Sequence, residues 1–142
     1  MKNAWWLRSF VCLLLMAPTG CATVATVQRS QGQGISRSYP YPFAVTFESA
    51  RDALQELGIE IVEVMRSPDG HSGSIIGKKS LSLFSYGERI AVFVSTQNER
   101  STQVEVVSKR VLATNVFAKD WTQDILSTIA NVLAHRQAMG KS

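Results

Sequence analysis

Cysteine is scarce in this 142-residue chain, which has only Cys12 and Cys21. Two thiols are too few for a disulfide-dense scaffold, and their spacing fits no zinc motif. Histidine is as scarce: His71 and His135 stand far apart in the sequence with no third ligand beside either. A solvated turn histidine and a helix-end histidine are the plain readings. Nine glycines and four prolines exclude a collagen-like or low-complexity polymer. A membrane-spanning helix needs roughly 20 apolar residues. The stretch from Trp5 to Ala17 offers 13 positions and contains Arg8 and Ser9. No GxSxG, HExxH, CxxC or phosphate-binding glycine loop occurs. Gly32-Gln-Gly34 has no strand pattern before it and is no dinucleotide site. What remains has the composition of one globular domain, at 45% hydrophobic and 18% charged.

The N-terminus reads as an address. Lys2 and Arg8 give a positive start, Phe10 to Ala17 form an apolar core, and Pro18-Thr-Gly20 is a small-residue stretch before Cys21. Residues 1–20 are therefore expected to be a secretory signal peptide. Thr19-Gly20-Cys21, placed behind that core, resembles the lipobox of bacterial lipoproteins, with Pro18 where the family usually has Leu, Val or Ile. The resemblance implies cleavage before Cys21 and acylation of its thiol and its new amine. With Ala22 rather than Asp next, it also implies an outer-membrane location facing the periplasm. Ordinary cleavage near Ala22 or Ala25, leaving an unlipidated secreted protein, stays open. Several acyl chains on one residue make a durable tether. Loss of Lys2 and Arg8 leaves 13 basic against 11 acidic side chains, so +4 becomes +2. That small excess does not point to nucleic acid.

Residues 22–40 are rich in Gln, Ser and Gly and lack apolar periodicity. Residues 21–40 are expected to be the lipidated cysteine and a flexible linker, with a typical span of roughly 25 Å. The α+β domain is expected over 41–138, with 139–142 as a tail. Phe43, Phe47, Ala50, Leu54 and Leu57 step by 4, 3, 4 and 3, one face of a helix that Gly58 can cap. Ile59 to Met65 is strand-like, Ser67-Pro-Asp-Gly70 is a turn, and Gly73 to Lys79 returns. Arg89 to Thr96 alternates as a third strand, and Thr102 to Lys109 is a fourth, with Gln103, Glu105 and Lys109 facing outward. Trp121, Ile125, Ile129 and Val132 or Leu133 mark a second helix. The order α-β-β-β-β-α predicts a two-layer sandwich: a four-stranded antiparallel sheet, one face covered by both helices. This order, with Ala53 to Glu63 running from helix into strand, resembles the periplasmic domains of small uncharacterised bacterial envelope lipoproteins. That resemblance carries over no functional residues.

No catalytic constellation stands out, so the chain is expected not to be an enzyme and to need no metal or cofactor. The candidate binding surface is Lys78, Lys79, Arg89, Lys109 and Arg110, from strands or their ends, with Phe84 and Tyr86 in the apolar stretch 81–86. The cations would meet an anionic surface or an acidic envelope protein, or would guard strand edges against pairing with other chains. The expected function is a lipid-anchored, non-catalytic interaction or accessory module. The alternative is a small envelope enzyme acting on cell-wall polymer through carboxylates.

Overall fold

The computed structural model describes residues 28–80, 87–110 and 119–140. Residues 1–20, the expected signal peptide, lie outside the described residues, as do Cys21, Phe84 and Tyr86. Among the described residues seven elements follow one another: β1 (Ile35–Tyr39), α1 (Phe43–Glu56), β2 (Glu60–Arg66), β3 (Ser72–Lys79), β4 (Glu88–Asn98), β5 (Ser101–Arg110) and α2 (Thr122–Met139). The fold is α+β with two helices and an antiparallel sheet, as the sequence predicts. The sheet has five strands rather than four, in the order β1-β5-β4-β3-β2. The extra strand comes from the stretch read as linker. Ile35 pairs with Val106 and Tyr39 with Thr102, which places β1 at the edge beyond β5.

The helices form where the apolar spacing puts them. In α1, Phe47, Ala50 and Leu54 are fully buried, while Phe43 and Leu57 pack at the margin. Gly58 ends the helix at φ +63°, a conformation that costs glycine least. The Gly58 amide donates to Gln55 O (2.9 Å) and the Ile59 amide to Leu54 O (2.9 Å), the bond pair of a Schellman cap. Asp120 starts α2 by accepting the Thr122 amide at 2.9 Å. Ile125, Leu126, Ile129 and Leu133 then turn inward. One core unites both helices with Ile75, Ile90, Val92, Val94, Val104 and Val106 of the sheet. Tyr39 reaches into it from β1, and its hydroxyl donates to Leu126 O at 2.7 Å. Burial pushes the Tyr39 phenol above its ordinary value, outweighing the pull of Arg37.

The sheet is not one-faced. Ile76, Ala91, Phe93 and Val107 form a second buried cluster, and their register puts them on the face away from the helices. Residues 28–34 run as a strap along that face. At one end the Gln28 amide donates to the Glu63 carboxylate (3.2 Å) and touches the Met65 sulfur. At the other, the Gly32 and Gly34 amides donate to one oxygen of Glu105, at 2.7 and 2.8 Å. Gly34 must be glycine for the chain to turn into β1, because a Cβ there would lie 2.3 Å from Val106 O.

Candidate functional site

The cations singled out in the sequence separate once the register is known. Lys78 stands opposite Arg89, and Arg89 opposite Lys109. Two-residue alternation puts all three on the strap-bearing face, in one line across β3, β4 and β5. Lys78 and Arg89 stand where their strands are paired on both sides, so edge protection does not account for them. Lys109 lies beyond the stretch of β5 that β1 covers, residues 102–106, where β5 is itself the edge. Like charges directly opposite one another are unfavourable by roughly 0.2–1 kcal/mol per pair. Lys78 is partly compensated by Glu60 at 3.0 Å, with both side chains about half exposed. Lys109 donates to the neutral side chain of Gln33 at 3.3 Å. Among the described residues, no carboxylate pairs with Arg89 or Lys109.

Lys79 belongs to the other face. Its ammonium donates to the carbonyls of Leu57 and Gly58, where the helix dipole favours a cation. It also stands 4.8 Å from the Trp121 ring centre, and Lys119 stands 4.5 Å from it. The Trp121 indole donates to the buried carboxylate of Glu88. Lys79 thus joins α1, β3 and the start of α2. Arg110 occupies the register position opposite Glu88, the line to which Lys79 also belongs. Of the five candidate cations, Lys78, Arg89 and Lys109 share one row, while Lys79 belongs to the helix side and Arg110 to the register line of Lys79.

Sequence reasoning missed Glu105 and the strap it holds. The alternation of β5 places Glu105 on the face opposite Val104 and Val106, and it does face away from the helices, but it is only 9% exposed. An acid set among Val104, Val106 and Val107 was the available signal.

Two clefts could be asked to host chemistry. One of about 380 Å3 runs beside the strap, lined by Gln28, Gln31, Met65, Arg66, Ser74 and Phe93 among others. Another of about 740 Å3 lies between the helices and includes Asp52, Glu56, His135 and Arg136. Asp52 there accepts from Arg136, and both side chains are well exposed. Paired in this way, Asp52 serves as a tie between α1 and α2. His71 sits in the β2–β3 turn, where the Ser67 hydroxyl and the His71 amide hold the Asp69 carboxyl below its ordinary value. Among the described residues no group of three or more His, Cys, Asp or Glu could hold a metal ion. No described helix is long and apolar enough to cross a membrane. No protein-family model and no curated protein matches the chain.

Proposed function

We propose that the protein is a lipid-anchored, non-catalytic envelope module, held at the periplasmic side of an outer membrane by acyl chains on Cys21. The observation that carries this reading is the signal-like start: a positive head, the apolar Phe10–Ala17 core and Gly20-Cys21 behind it. The folded part is compatible with it. Its chemistry-bearing side chains are mostly engaged in structure: Asp52 with Arg136, Asp120 at a helix start, Glu88 with Trp121, Glu105 with the strap. The partly exposed cation row is suited to binding, and lacks the nucleophile and base that covalent catalysis needs. Metabolic labelling with a palmitate analogue tests the anchor. The wild type should take up label, and Cys21→Ser should take up none. Equal labelling of both would end the lipoprotein reading.

A further inference from the structure

The row Lys78–Arg89–Lys109 has a chemistry and a position that together select a partner. We propose that it docks on the anionic phospholipid headgroups of the bilayer that carries the anchor, holding the strap-bearing face of the sheet toward the membrane. This rests on the anchored reading above. Neighbouring strands are about 4.8 Å apart, so three cations stand within roughly 10 Å across the strand direction. A flat row of that size meets several headgroup phosphates at once, and each contact relieves the repulsion the row builds into the sheet. Arg89, the middle member, has no carboxylate partner among the described residues.

The tether points the same way. The strap lies on the face that carries the row, tied to Glu63 at Gln28 and to Glu105 at Gly32 and Gly34. Only seven peptide steps separate Cys21 from Gln28, a reach of at most roughly 25 Å. An acylated Cys21 therefore keeps this side of the molecule close to the bilayer. The helix layer, where Arg136 pairs with Asp52 and Arg66 with Glu48, is on the far side.

The test uses the full chain extracted from membranes and reconstituted into vesicles. One set is neutral phosphatidylcholine; the other contains about 30 mol% phosphatidylglycerol. Amines are acetylated briefly and each lysine is read by mass spectrometry. Lys78 and Lys109 should label about fivefold more slowly on anionic than on neutral vesicles, while Lys79 and Lys119 do not change. The difference should vanish in about 0.5 M NaCl, where screening is nearly complete. Equal labelling of Lys78 on both vesicle types, with the protein floating on both, overturns the docking and leaves the anchor intact. Protection in native envelope fragments but not on anionic vesicles also overturns it, and assigns the row to an envelope macromolecule. If the chain lacks acyl mass and does not float on neutral vesicles, the anchor reading fails. Flotation on anionic vesicles alone then still supports the row, and flotation on neither overturns it.

Discussion

Glu105 shows how one side chain decides whether a peptide segment is linker or structure. Its carboxylate, nearly excluded from water, would be costly to bury without partners. The Gly32 and Gly34 amides supply them, 73 and 71 positions away in sequence. Hydrogen bonds to a charged acceptor each contribute about 1.5–3 kcal/mol. Glu105→Ala removes the acceptor from two amides at once. It should lower the melting temperature by roughly 10–25 °C in a domain of this size. Hydrogen exchange at Gly32 and Gly34 should accelerate while exchange in β4 follows only the global change. Glu105→Gln keeps one acceptor oxygen and should fall between. Unchanged exchange at both glycines would mean that the carboxylate does not hold the strap.

Among the elements, those visible in the sequence are those whose burial pattern is local. The 4, 3, 4, 3 spacing of α1 and the alternation of Ile90, Val92 and Val94 in β4 reflect one buried face each, and both elements form where expected. Gly58 and Gly70 mark the ends they should, each with positive φ. β1 is different, because four of its five residues are exposed and only Tyr39 is buried. Its identity comes from pairing with β5, which no window around Ile35 reveals. The same holds for the cation row: residue type was legible, but facing direction depends on register across three strands. The folded unit should therefore begin at Gln28 rather than Tyr41. A chain starting at Tyr41 loses Tyr39 from the core and uncovers one side of Phe93 and Val107. Losing burial worth about 1.5–3 kcal/mol per large apolar side chain would consume much of a stability of roughly 5–15 kcal/mol. A chain starting at Gln28 should unfold cooperatively in urea; one starting at Tyr41 should bind a hydrophobic dye and unfold over a broad range. Identical transitions for the two would show that strap and β1 are accessory to the fold.

For the molecule as a whole, a sheet covered differently on its two faces is a device with direction. One face carries two helices and the main core, the other a strap that leads back toward Cys21 and a row of cations. Two causes would turn the strap side to the membrane: the short reach from the anchor, and attraction of the row to anionic lipid. They can be separated. The sequence has no cysteine after Cys21, so in the acylated protein a cysteine introduced elsewhere is a unique site for a fluorophore. Ser36→Cys lies on the strap-bearing face of β1 and Glu56→Cys at the exposed end of α1. A quencher attached to lipid headgroups should dim the label at position 36 more than that at position 56. Inserting a flexible Gly-Ser segment of about 20 residues between Ala22 and Gln28 roughly doubles the average reach, to about 30 Å. If the row docks, the difference between the two positions survives the insertion on anionic vesicles and disappears on neutral ones. If reach alone orients the domain, it collapses on both. Survival on neutral vesicles would exclude headgroup charge as the orienting force, because nothing electrostatic then remains to distinguish the two faces.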